Sequence, residues 1–254
     1  MNQILVTKKL YITPELKRKK KVYKFEFFLS IFLVFALISA YIYAEYDRNK
    51  SEQVSQEILS SLDIPEEDTT VAKNNVLVVV LDDEEQNEPQ NESQSGTQNN
   101  LSNRRVNSTQ SVQTTANGYQ YITIATINIP KINVNYPILD GLTDSTEETE
   151  ELLKISPTKF WGADPNEVGN FCVVGHNYRN TKFFSKVPTL EIGDIVEITD
   201  LSGRTLQYKV YNKYEVDPTD VSCTTQLTNG KKELTLITCT DDSKHRVVVK
   251  TRER

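Results

Sequence analysis

The chemistry this chain can do rests on a few side chains. There are three cysteines and two histidines. Cys239 closes the alternating run Glu233-Leu234-Thr235-Leu236-Ile237-Thr238-Cys239, and Arg246 opens the β-branched run Arg246-Val247-Val248-Val249-Lys250. Two short strands with a polar connection favour an antiparallel pair, which brings Cys239 and Arg246 to the same end of a sheet. A thiol beside a permanent cation is a candidate nucleophile with a place for an oxyanion. It still needs a base. His176 follows Phe171-Cys172-Val173-Val174-Gly175 and opens a polar loop, and Gly175 permits a close backbone approach just before it. His245 adjoins Arg246, and neighbours on a strand point to opposite faces, so only one of the two can face Cys239. The guanidinium suits an oxyanion better. That pairs His176 and Arg246 with Cys239 and turns His245 outward.

Plainer roles stay open for each of these residues: a strand-end cysteine, a surface histidine, a solvated arginine. Cys172 sits mid-strand between Phe171 and Val173 and reads as core, whereas Cys223 lies in a polar connection and reads as exposed. There is no CxxC spacing, which argues against a zinc site or a multi-bridge framework, and a Cys172–Cys223 bridge stays open. Arg179, Arg204, Arg252 and Arg254 are alternatives to Arg246, the last two at a chain end where fraying is usual. Trp161, Phe183 and Phe184 read as packing or rim residues.

The elements that must position these groups are short. Strands are expected over residues 119–129, 134–139 (bent or at an edge because of Pro137), 170–174, 195–199 and 205–214. Residues 145–155 read as a helix capped by Ser145 or Thr146. Residues 160–166 read as a loop anchored by Trp161, residues 183–187 as a helical turn, and residues 217–227 as a connection. Many short strands with one or two short helices make a mainly β barrel, beginning near Gly118 and running over residues 118–254.

Upstream the character changes. Hydrophobic content is 37% and the net charge of −6 is unevenly spread, basic at the N-terminus and acidic in the middle. Nucleic-acid binding would want a basic folded domain, so it is not expected. Residues 1–24 form a basic tail containing Lys17, Arg18, Lys19, Lys20, Lys21 and Lys24. Residues 25–44 are apolar and long enough to span a bilayer as an uncleaved anchor. The alternative, a cleaved signal peptide, fits the long basic region and long apolar run less well. The basic cluster places the N-terminus in the cytoplasm and the C-terminal bulk outside the cell. Residues 45–117 are mostly polar and read as a flexible, disordered extracellular linker, with a helix over 51–62 and a β-prone run at 76–81 as local exceptions.

Taken together, Thr235-Leu236-Ile237-Thr238-Cys239, the arginine opening the next strand, and an upstream strand ending Val173-Val174-Gly175-His176 resemble the sortases, membrane-anchored cysteine transpeptidases of Gram-positive bacteria. Ile129-Pro130-Lys131 and Gly193-Asp194 are similar to further sortase landmarks, and the pattern around His245-Arg246 resembles class D, with class B as the other reading. The resemblance implies a closed eight-stranded sortase-type β-barrel. It implies Cys239 as nucleophile, His176 as acid and base, Arg246 as donor to the oxyanion, and Thr238 as an aid in placing the substrate backbone. The implied substrates are surface proteins bearing an LPXTG-like sorting signal. The implied acceptor is an amine of the peptidoglycan precursor, and no cofactor or metal is called for. Two rivals remain: a different wall-acting thiol transpeptidase or peptidase, whose motifs differ around the cysteine, and a non-catalytic surface module, which makes the three residues coincidental.

Overall fold

Residues 14–65, 111–143 and 145–254 are described in the computed structural model. The β-prone run at 76–81 and the larger part of the expected linker lie outside them. The described residues fall into two compact units divided between Ser51 and Glu52.

In the first unit, helix α1 (Pro14–Ser61) carries apolar side chains on every side. Phe25, Phe28, Phe32, Phe35, Leu37 and Tyr41 are all exposed. A helix apolar all round has no polar face to offer water, and hydrocarbon is the medium that satisfies it. Its length and composition make it a candidate membrane span.

The second unit includes the last turns of α1, so the folded unit takes in residues well upstream of Gly118. Ser55 is fully buried with its Oγ 2.8 Å from Ser156 Oγ. Ile58 packs against Tyr121, Leu139 and Leu152. An Ile and a Ser on one helix face are enough to bind a short amphipathic end to the sheet that follows far along the chain.

The rest of this unit is nine strands: β1 (Gln113–Thr114), β2 (Gln120–Ile129), β3 (Val134–Gly141), β4 (Thr158–Gly162), β5 (Gly169–Val174), β6 (Ile195–Asp200), β7 (Thr205–Val216), β8 (Lys232–Cys239) and β9 (Arg246–Glu253). Their order is β1-β2-β3-β4-β5-β8-β9-β7-β6, and β2 pairs with β6, which closes β2 to β9 into an eight-stranded barrel with β1 outside the ring. The alternation read in the sequence explains the filling. Ala125, Ile127 and Ile129 of β2, and Leu234 and Leu236 of β8, point inward and are fully buried. Closure leaves few free strand edges and gives each inward side chain a complete set of neighbours. Pro137 is tolerated in β3 because that strand meets β4 at a single position, Leu139 against Thr158.

Helix α2 (Thr146–Leu153) lies between β3 and β4. Ser145 caps it, its Oγ accepting from the Glu148 N–H at 3.1 Å, and the Glu148 carboxylate accepts from the N–H groups of Leu142 and Thr143. Leu152 anchors it to the barrel.

Three expectations change. The stretch around Trp161 is not a loop: residues 158–162 form β4, antiparallel to β5. A bulge between Lys159 and Trp161 and two outward aromatics, Phe160 and Trp161, erase the alternation that would have shown it. The chain end does not fray at Arg252. It belongs to β9, where its guanidinium donates to the Glu233 carboxylate and lies over the Tyr211 ring. Cys223, expected to be exposed, is buried, because Asn170 Nδ2 and Lys250 Nζ both donate to its carbonyl and hold the connection down on the sheet.

Candidate active site

Strand register places the three candidate residues. In the β8–β9 pair Cys239 stands directly opposite Arg246. Leu234 and Leu236 point into the barrel, so by alternation Ile237 and Cys239 point outward, together with Arg246. β5 runs parallel to β8 with Val174 beside Ile237, and the Gly175 N–H donates to the Ile237 carbonyl at 3.1 Å. Continuing that register brings His176 alongside Cys239. The three side chains line one cavity of about 330 Å³, with Glu150 and Leu153 of α2 and Lys154 just after it in its wall.

Each position has a local cause. A Cβ on Gly175 would lie 2.5 Å from the buried Phe184 ring, so only glycine lets the chain turn there with that ring in place. Thr238 is almost wholly buried, and its hydroxyl donates to the Gly175 carbonyl at 2.8 Å. That side chain ties the end of β8 to the turn before His176.

Burial is the first cause that holds the His176 imidazole below its ordinary value of 6.5, the Lys154 ammonium is the second, and Glu150 pulls the other way. Its ring lies against Tyr178, centroids 5.0 Å apart. A neutral imidazole beside a thiol can accept a proton at pH 7. Arg246 is half-buried and reaches only its neighbour's carbonyl, that of His245, at 3.4 Å. Among the described residues no carboxylate pairs with it. His245 is exposed and its carbonyl accepts from the Thr240 N–H, which closes the hairpin away from the cavity.

The other two thiols are of a different kind. Cys172 is fully buried and its thiol is pushed up to about 12, chiefly by burial. Cys223 is raised too, by the same cause, and both are free. Such thiols are inert.

The family model for the sortase domain matches residues 127–254, half of the chain. The chain belongs to the sortase family. Sortases are cysteine transpeptidases, and β2 to β9 are the barrel on which this sortase carries its cavity. Among solved structures it is similar to the sortase D5 transpeptidase of Clostridium perfringens, at 31% identity over 52% of this chain and 79% of that one, with a TM-score of 0.45. It is also similar to sortase C-1 of Actinomyces oris, at 26% identity over 51% of this chain and 73% of that one, with a TM-score of 0.43. Clostridium perfringens sortase C, solved with the C-terminal cell wall sorting motif, is 22% identical over 51% of this chain and 69% of that one, with a TM-score of 0.42. No curated protein matches the chain.

Two features of this sortase site lie beyond the three candidate residues. Asn177 follows the histidine, and its side-chain amide donates to the Cys239 carbonyl at 2.9 Å and to Asp241 at 3.0 Å. Arg179 continues the link by donating to Ser243 Oγ. The loop after β5 is thereby tied to the loop after β8. A polar residue next to His176 was the available signal, but its partner is set only by the parallel β5–β8 register. The second feature is an adjoining groove of about 510 Å³ that shares Arg246, Ile237 and Leu153 with the first cavity. Its apolar wall includes Val216, Pro218 and Val221, so the connection after β7 forms one side of it.

Proposed function

We propose that this sortase cleaves an LPXTG-like sorting signal and transfers the surface protein to an amine of the cell wall precursor. The observation that carries this reading is the single cavity shared by Cys239, His176 and Arg246, which adjoins a partly apolar groove of about 510 Å³. In the first half, Cys239 Sγ attacks the carbonyl of the residue before the scissile bond and its proton passes to His176. Arg246 donates to the oxyanion that forms. The C–N bond then breaks, His176 returns the proton to the departing amine, and a thioester remains on Cys239. In the second half an incoming amine attacks the thioester, its proton passes to His176, and the thiol is restored. Thr238 serves both halves by holding the strand end that carries Cys239 against Gly175.

The reading extends to placement and class. The basic cluster before residue 25 supports a cytoplasmic N-terminus, residues 25–44 of α1 as a single membrane span, and a catalytic unit outside the cell. The class D-like reading has the 31% identity to a sortase D5 in its favour.

The test is a mass measurement. Incubating the protein with sorting-signal peptides yields a Cys239 thioester whose added mass is the acyl half of the peptide, and Cys239→Ala forms none. Peptide cleavage by Cys239→Ala at the wild-type rate would sink the assignment.

A further inference from the structure

The catalytic cavity holds two charged side chains that the reaction above leaves unused, Glu150 and Lys154, and the Lys154 ammonium is paired with Glu151. Glu150 of α2 lines both the cavity of Cys239 and the adjoining groove. It is exposed, and among the described residues it makes no hydrogen bond or ion pair. Its neighbours on the helix are occupied differently. Glu148 is buried and caps the turn at Leu142 and Thr143, and Glu151 pairs with Lys154 and Asn117. Arg246, in the same two cavities, is likewise without a carboxylate partner, and it forms no ion pair with Glu150. A carboxylate and a guanidinium thus both face one space, unpaired, with the thiol between the strands that frame it.

Aminolysis of a thioester develops this pair of charges. When a neutral amine adds to the carbonyl carbon, the nitrogen becomes positive and the oxygen negative. The C–N bond forms, the nitrogen gives its proton to His176, the C–S bond breaks, and the thiolate takes that proton back. Attack by water assisted by His176 never places a full positive charge on the nucleophile. A fixed carboxylate therefore favours the amine over water where it counts, in the transition state. The first half-reaction has little use for it, because the nucleophile there is Cys239 itself.

We propose that Glu150 is the acceptor-selecting residue of this sortase, stabilising the positive nitrogen of the incoming amine while Arg246 stabilises the oxyanion. This rests on the acyl-enzyme reading given above. It names the acceptor by its chemistry, a neutral primary amine whose nitrogen becomes positive as it adds, and it assigns the developing anion to Arg246 of β9 and the developing cation to Glu150 of α2, with the Lys154 charge held by Glu151.

The test measures how a Cys239 thioester, formed on the full-length protein from a sorting-signal peptide, partitions between two nucleophiles present together. One is a primary alkylamine and the other a small thiol, which attacks as an anion. Glu150→Gln lowers the amine-to-thiol product ratio about fivefold, the scale of one partly solvated charge pair, and Glu150→Asp restores most of it. Glu147→Gln, in the first turn of α2 and outside both cavities, reports on helix charge alone and keeps the wild-type ratio. A ratio in Glu150→Gln equal to wild type, or an equal fall in both products, overturns the role of Glu150. A wild-type protein that forms no thioester at all overturns the acyl-enzyme reading and the inference with it.

Discussion

The side-chain amide of Asn177 donates to the main-chain carbonyl of Cys239 at 2.9 Å, so the residue after the candidate base holds the backbone of the candidate nucleophile. Together with the Thr238–Gly175 bond, it ties the end of β8 to the turn after β5. This matters because a thiol and an imidazole exchange a proton only within hydrogen-bond reach of each other.

Asn177→Ala removes the amide's hydrogen bonds to the Cys239 carbonyl and to Asp241, with the acceptor of the Arg179 N–H, and leaves the Cys239 carbonyl seeking another donor. The expected loss is about 1–1.5 kcal/mol of transition-state stabilisation, or roughly tenfold in the rate of thioester formation. Because the bond positions rather than binds, kcat falls while KM changes little. A melting point within a few degrees of wild type, alongside the lowered kcat, separates positioning from general loosening. An unchanged kcat would show that the two strand ends keep their places without Asn177.

His176 sets a pH dependence of known sign. Its folded value lies below the ordinary 6.5, with burial the main cause. Below 6.5 the unfolded chain takes up a proton that the folded chain resists, so stability falls as pH drops from 6.5 to the folded value and is level above 6.5. Denaturant melts at a series of pH values, wild type against His176→Gln, isolate this slope, which the variant lacks. In activity, the acid limb of the thioester-forming rate lies below pH 6.5, since the neutral base survives to lower pH. An acid limb above 6.5 would contradict the burial of the imidazole.

Residues 52–61 belong to the catalytic unit, and Ile58 is their main anchor, 5% exposed against Leu139 and Leu152. Ile58→Ala is expected to cost about 2–4 kcal/mol, the range for opening a cavity at a buried aliphatic. Unfolding of the barrel, followed by the fluorescence of its single tryptophan, Trp161, reports it. A chain that begins at residue 118 should lose at least as much, because Leu139 and Leu152 then lack their cover. Equal denaturant midpoints for wild type and Ile58→Ala would mean that this helix end merely rests on the barrel.

Much of this protein was legible in its residues. The strand alternation around Ala125, Ile127 and Ile129, the Ser145 cap and the apolar run at 25–44 are local signals, and local signals survive into the fold. What escaped was non-local or masked by irregularity. β4 was hidden by its bulge, Arg252 by its place near the chain end, and Cys223 by the polarity of its own neighbours. Each is held by partners distant in sequence: β5, Glu233, and Asn170 with Lys250.

By itself the sequence determined the inventory: a single candidate thiol at a strand end, two histidines, an arginine opening the last strand, an apolar helix long enough to be a candidate membrane span, and a β domain of one family. Residue types and short-range periodicity suffice for that. Only the tertiary structure decided the encounter. The parallel β5–β8 register puts His176 beside Cys239, the antiparallel β8–β9 register puts Arg246 across from it, and α2 places Glu150 in the wall of the same cavity. Strand pairing fixes which side chains share a face, and pairing between strands far apart in the chain is a property of the closed barrel as a whole.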